Sequence, residues 1–116
     1  MSDALRELRD ALRAFAAERD WDQFHSPRNL AAALSVEAAE LLEPFQWLTD
    51  EQCRDLSPET RAAVEQELAD VLLYLVRLAD KLDVDLIEAA RTKMARNAAK
   101  YPIEKSRGSS RKYDEL

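Results

Sequence analysis

EQELADVLLYLV, residues 65–76, is the stretch on which the fold turns. Its last six residues carry no charge, so at about 100° per residue a helix here is apolar nearly all round. Val64, Val71, Leu75, Leu78 and Leu82 form one main stripe, while Leu72, Leu73 and Val76 point to other sides. Such a helix is buried on several sides. In a chain of 116 residues the extra side is expected to meet another subunit.

Immediately before this apolar run, Glu67 and Asp70 stand three residues apart, and VEAAELLE, residues 36–43, repeats the spacing with Glu37 and Glu40. Residues three apart share a helix face. On the upstream helix Leu30, Leu34, Leu41, Phe45 and Leu48 fall on one side, with Glu37 in its middle and Glu40 at its edge. On the downstream helix Glu67 and Tyr74 border the main stripe and Asp70 lies just beyond. A carboxylate on a core-facing side is costly unless it is paired or binds a metal. If the two helices pack together, four carboxylates converge with few bases to neutralise them. A hard divalent cation, which takes oxygen ligands and in the case of Mg²⁺ also binds phosphate, resolves that conflict. Acidic pairs of this spacing also occur on solvated helix faces.

Composition narrows the class. One glycine and 47% hydrophobic residues point to an all-α chain, because sheets need turn glycines and favour β-branched residues. The length fits a single domain, 1–116, with a core thin enough to favour self-association. A net charge of −6 disfavours binding to nucleic acid. Cys53 is the sole cysteine, which precludes an internal disulfide and fits a reducing compartment. Charged residues interrupt the opening segment, so no signal peptide is expected. Val71 to Val76 is too short to span a membrane, and a cytoplasmic location follows as the expectation.

In chain order, residues 3–19 form an amphipathic helix with Leu5, Leu8, Leu12 and Phe15 inside and an ordinary charged outer face. A loop with two aromatics and the only histidine follows. Ser26-Pro27 starts the second helix, a capping side chain ahead of a proline whose missing N–H does no harm. That helix should run 27–48, with Pro44 either kinking it at Glu40 or ending it early. Residues 49–57 make a polar linker, and Ser57-Pro58 repeats the start signal for a third helix, 58–82. Asp85 and Glu88 resemble a capping box opening a fourth helix that runs to about residue 100. Ile87, Ala90 and Met94 are its stripe, and Lys93, Asn97 and Lys100 share a polar face. The basic tail, 102–116, has the composition of a disordered, solvated end.

The pattern E-x-x-E, 26 residues, E-x-x-D formed by Glu37, Glu40, Glu67 and Asp70 resembles the metal motif of the all-α nucleoside triphosphate pyrophosphohydrolases, the MazG-like group. FAAERDWDQFHSPRNL (15–30), FQW (45–47), DVLLYLV (70–76), the set Lys93, Met94, Asn97, Tyr101 and Pro102, and SSRKYDEL (109–116) make the dCTP pyrophosphatase branch the closest resemblance, over nearly the whole chain. Pro44 departs from the family pattern. The resemblance implies a four-helix protomer that packs with a second subunit into bundles and assembles as a dimer of dimers. It also implies Mg²⁺-dependent cleavage of a deoxynucleoside triphosphate to monophosphate and pyrophosphate, with Glu37, Glu40, Glu67 and Asp70 as catalytic and metal-holding residues. Trp21, His25, Trp47 and Tyr74 would surround base and sugar; Lys93, Asn97, Arg111 and Lys112 would reach phosphate or close the pocket. On the residues alone, the two tryptophans equally fit hydrophobic anchors, Tyr74 a core residue and His25 a loop hydrogen-bonder. Two rival readings are a pyrophosphohydrolase preferring dUTP or a broad set of nucleotides, and a helical interaction module whose acidic pairs meet basic residues of a partner.

Overall fold

A computed structural model describes residues 2–116, so Met1 of the expected 1–116 domain lies outside the described residues. The described chain is all helical: α1 Asp3–Glu18, α2 Pro27–Glu40, α3 Asp50–Cys53, α4 Pro58–Lys81, α5 Leu86–Lys100 and α6 Ile103–Ser106, with single 3₁₀ turns at Asp22–Phe24 and Tyr113–Glu115. Four long helices are present as the sequence predicts, α2 shorter than expected. Two compact units result, Ser2–Val84 and Asp85–Leu116.

Local chemistry sets most boundaries. Ser2, Ser26, Ser57 and Asp85 each accept a hydrogen bond from the backbone N–H three residues on, at 3.1–3.2 Å, which satisfies donors that a helix start leaves without partners. Pro27 and Pro58 then occupy the first helical positions, where no N–H is needed. After α1 and α4 the chain turns through Asp20 (φ 53°) and Asp83 (φ 54°). Trp21 N–H reaches back to the Ala16 carbonyl and Val84 N–H to that of Ala79, both at 2.9 Å. These are Schellman-type stops built on aspartate, one of the few non-glycine residues to enter the left-handed region readily. The first of them delivers Trp21 to the site described below.

Helix α2 ends earlier than the expected residue 48. The last full-turn bond runs from Leu41 N–H to Glu37, and thereafter Glu43 donates to Glu40 (3.0 Å) and Phe45 to Leu42 (2.9 Å). Pro44 has no N–H to offer the Glu40 carbonyl, so the backbone tightens there and leaves Glu40 as the terminal helical residue. The 49–57 linker is not purely irregular either. Thr49 and Gln52 form a reciprocal capping box around α3, a T-x-x-Q signal present in the sequence.

In the first unit α4 packs against both α2 and α1. Its buried residues are Val76, Arg77 and Ala79, and Ala16 of α1 and Leu30 of α2 are the other buried positions among the described residues. Leu75 and Leu82, expected in the main stripe, are instead exposed, along with Leu68 and Leu72. The reason is the all-round apolarity of this helix: periodicity cannot say which side its neighbours take. The outer face of α1 is also more than a wet surface, since Arg13 grips Asp80 of α4 with both ends of its guanidinium.

The second unit holds α5, exposed from Glu88 onward, and the tail. Instead of running on without structure, the tail forms α6 and a 3₁₀ turn. Tyr113 folds back edge-on to Tyr101, ring centroids 6.2 Å apart, with the Lys100 ammonium 4.8 Å above its ring. Contacts of that kind supply the ordering that composition alone does not reveal.

Candidate active site

Along one side of α4 the residues Glu67, Asp70, Tyr74, Arg77 and Lys81 follow one another at intervals of 3, 4, 3 and 4. That alternation keeps them in line on a helix, and the result is a polar seam.

At its upper end is the carboxylate cluster. Carboxylate oxygens from Glu37, Glu67 and Asp70 lie within 4.8 Å of one another, all three side chains half-buried. Glu37 Oε2 and Glu67 Oε2 are buried with no hydrogen-bond partner among the described residues. An unsatisfied buried carboxylate oxygen is expensive, and three negative groups facing one another compound the cost. Burial first, with the neighbouring Glu67 and Asp70 adding to it, raises the pKa of Glu37 above the ordinary glutamate value. Glu40 stands outside the set of three. Its pKa is raised chiefly because its carboxyl, when protonated, donates to Glu37, whose charge adds to the effect. Burial and like charge thus push both glutamates toward the protonated form. The donor set fits a hard divalent ion: oxygen ligands only, net negative, two of the oxygens lacking other partners. Of the four residues that the sequence singled out, three therefore converge, and Glu40 joins them through Glu37.

Below the cluster lies a cavity of about 150 Å³ whose walls include Phe15, Trp21, His25, Asp70, Tyr74 and Arg77. Trp21 stands edge-on to Phe15 and to His25, with ring centroids 5.7 Å and 6.4 Å apart. Asp70 belongs to both features, so the carboxylate cluster opens directly onto an aromatic slot. The structure thus brings Trp21, His25 and Tyr74 together. Trp47 is 87% exposed and does not line this cavity. Lys93 and Asn97 sit exposed on α5, and Arg111 and Lys112 are exposed just ahead of the last 3₁₀ turn, all four in the second unit.

The floor of the cavity rests on residues that the sequence reading missed. Arg77, 6% exposed, donates from Nε to His25 Nδ1 at 3.2 Å, from Nη2 to Asp22 at 2.5 Å and from Nη1 to Asp80 at 3.5 Å. Lys81 also donates to Asp22. Arg13, Arg77 and Lys81 thereby answer Asp80 and Asp22, and both aspartates have lowered pKa values: Asp80 mainly through its bond from Arg13, Asp22 mainly through that from Lys81. The 3-4-3-4 spacing of the seam was the available signal for Arg77. Two of its partners, His25 and Asp22, lie 52 and 55 residues away and had none.

Residues 32–116 match the profile of the MazG-like family. Over 114 residues the chain is 52% identical to dCTP pyrophosphatase 1 of Homo sapiens, covering 97% of this chain and 67% of that protein. With dCTP pyrophosphatase 1 of Bos taurus it shares 50% identity over 114 residues, 97% of this chain and 68% of that one. The crystal structure of a pyrophosphatase from Archaeoglobus fulgidus superposes with a TM-score of 0.81 at 42% sequence identity, covering 88% of this chain and 95% of its counterpart. The motif geometry, the fold and half-identical relatives over 97% of this chain agree, and the chain belongs to the MazG-like family.

Proposed function

We propose that this protein is a Mg²⁺-dependent pyrophosphohydrolase that cleaves dCTP, and base-modified dCTP, to the nucleoside monophosphate and pyrophosphate. One observation carries the reading: Asp70 is shared between a carboxylate cluster whose oxygens are spaced to accept a divalent cation and an aromatic cavity suited to a flat base. The relatives named dCTP pyrophosphatase favour cytosine as that base.

Glu37, Glu67 and Asp70 would hold the metal, with Glu40 beside them as a fourth ligand or as the acceptor of the attacking water's proton. A bound Mg²⁺ supplies charge neutralisation on the triphosphate oxygens. Trp21 and Tyr74 offer aromatic faces to the base, a contact that tolerates substituents on the ring edge, and His25 offers a polar group within the same cavity. Lys93, Asn97, Arg111 and Lys112 keep the phosphate-binding role that the family resemblance implies, and Trp47 the base-side role. On this reading residues 1–116 act as one catalytic domain in the cytoplasmic nucleotide pool. Cys53 is free, and among the described residues no helix is long and apolar enough to cross a membrane.

A homo-oligomer, a dimer of dimers, is part of the proposal. Leu68, Leu72, Leu75 and Leu82 recur on one side of α4 and are exposed, as is Trp47; a second copy would cover such a surface. Light scattering should return about four times the 13.2 kDa chain mass.

The deciding experiment is a panel of common nucleoside and deoxynucleoside triphosphates with 5-methyl-dCTP, incubated with and without Mg²⁺. Mg²⁺-dependent dCMP and pyrophosphate, with little product from purines, is the expected result. Equal turnover of dUTP would move the assignment to a broader enzyme, and intact nucleotides throughout would reduce the cluster to a structural or partner-binding feature.

A further inference from the structure

Arg77 is one of the most buried charged side chains of the first unit, and it takes no part in the chemistry just described. Its bond to His25 is unusual in direction. A guanidinium has only donors, so the ring atom 3.2 Å from Arg77 Nε must present a lone pair. Arg77 is itself held by Asp22 and Asp80, and Asp80 is held in turn by Arg13, so the fork cannot swing away to suit the imidazole. With Nδ1 accepting, a neutral ring carries its proton on Nε2. The charged ring, with a proton on both nitrogens, would set N–H against N–H.

We propose that Arg77 is a positioning residue that locks His25 in the Nε2–H tautomer, making it a donor-only group in the cavity. There it reads a hydrogen-bond acceptor on the edge of the substrate's base.

Charges around the ring agree. Asp22 and His25 lie together on the segment after α1, while Asp70, Tyr74, Arg77 and Lys81 come from α4. Burial, then Arg77 and Lys81, lower the His25 pKa against a smaller opposing pull from Asp22, a shift in favour of the neutral ring. Nδ1 being engaged, Nε2–H is the polar group that His25 has left for a ligand. Cytosine offers acceptors at N3 and O2, whereas a base presenting only N–H or C–H there would leave the donor unpaired and be rejected. Acting as a fixed donor, His25 would sort bases by chemistry where Trp21 and Tyr74 sort them only by shape. The base-reading half of the inference rests on the proposed substrate; the tautomer half does not.

His25 is the only histidine, so the full-length protein labelled with ¹⁵N-histidine gives a single imidazole to observe by NMR. In wild-type protein at neutral pH, without metal or nucleotide, the expected result is the Nε2–H tautomer alone. Nδ1–H, a mixture or an imidazolium would overturn the lock. Arg77→Met should convert the signal to a mixture and raise KM for dCTP about fivefold, the worth of one net hydrogen bond, with kcat within about twofold. An unchanged tautomer in a folded Arg77→Met protein would also overturn it. Should that variant not fold, His25→Gln against His25→Ala decides: glutamine retains a donor and should hold KM near wild type, alanine should raise it about fivefold, and equal values would remove the donor role. A wild-type enzyme that leaves dCTP intact would sink the base-reading half together with the substrate assignment, while the NMR result would still decide the lock.

Discussion

Helix α4 carries two acidic sites ten residues apart, roughly 15 Å along its axis, and they are solved in opposite ways. Asp80, with Asp22 from the loop, is surrounded by Arg13, Arg77 and Lys81, and the pKa values of both aspartates are lowered. Glu37 and Glu40, with Glu67 and Asp70, face one another across α2 and α4, and the pKa values of Glu37 and Glu40 are raised. The first arrangement is complete within the protein and stabilises it. The second leaves its like charges without a counter-charge from the chain, which is what the proposed metal site requires. Position along one helix does not decide between structure and function here; what decides is whether the counter-charge is part of the chain.

Substitutions should therefore have opposite signs at the two sites. Glu67→Gln is expected to cut turnover by at least about 10³-fold, comparable to losing a principal electrostatic contact in an active site. It should abolish calorimetric Mg²⁺ binding while leaving helical circular dichroism intact and metal-free stability equal to or above wild type. A folded Glu67→Gln enzyme of near-normal activity would break the comparison. Glu40→Gln sharpens it: lost turnover with Mg²⁺ affinity retained marks Glu40 as the proton acceptor, and lost affinity marks it as a ligand.

Asp80→Asn should behave the other way, costing about 2 kcal/mol in urea unfolding because it removes the charge that holds Arg13 and leaves the buried Arg77 with Asp22 as its one carboxylate. Catalysis in the fraction that stays folded should change far less than in Glu67→Gln.

The pH dependence of stability separates the same two sites. Asp22 and Asp80, with folded pKa values below the reference 3.8, contribute stability that is present above that pH and lost as pH falls through the lowered values. Glu37 and Glu40, raised above 4.5, contribute stability that is full below 4.5 and lost as pH rises through the raised values. Urea midpoints of metal-free protein should thus decline on both sides, and saturating Mg²⁺ should remove the decline on the alkaline side alone, since the metal competes with protons for the same oxygens. A metal-insensitive profile would count against the cluster as the binding site.

Trp21→Ala is the mildest of the set. Stacking is made in ground and transition states alike, so KM for dCTP should rise about tenfold with kcat little changed. A fall in kcat alone would make Trp21 part of the wall and not of the binding surface.

Much of this was legible in the chain. Capping serines ahead of Pro27 and Pro58, Asp85 ahead of α5, and the paired acidic spacings are local signals, and local signals survive folding because they concern neighbours in sequence. Pro44 was read as a disturbance, but whether it would bend α2 or end it depended on which carbonyls found other donors. The 3-4-3-4 seam was also written in α4, although nothing nearby marked Arg77 as more than a surface arginine.

By itself, then, the sequence determined an all-helical chain with two carboxylate pairs aimed from adjacent helices. Only the tertiary structure decided which side of α4 is core, because a helix apolar all round gives periodicity no face to choose. Only it could seat Arg77 between His25, Asp22 and Asp80, since hydrogen bonds across 52 and 55 residues leave no trace in local pattern. Direction and distance between side chains are fixed by packing, and on those depends whether a carboxylate is already paired or still needs a metal.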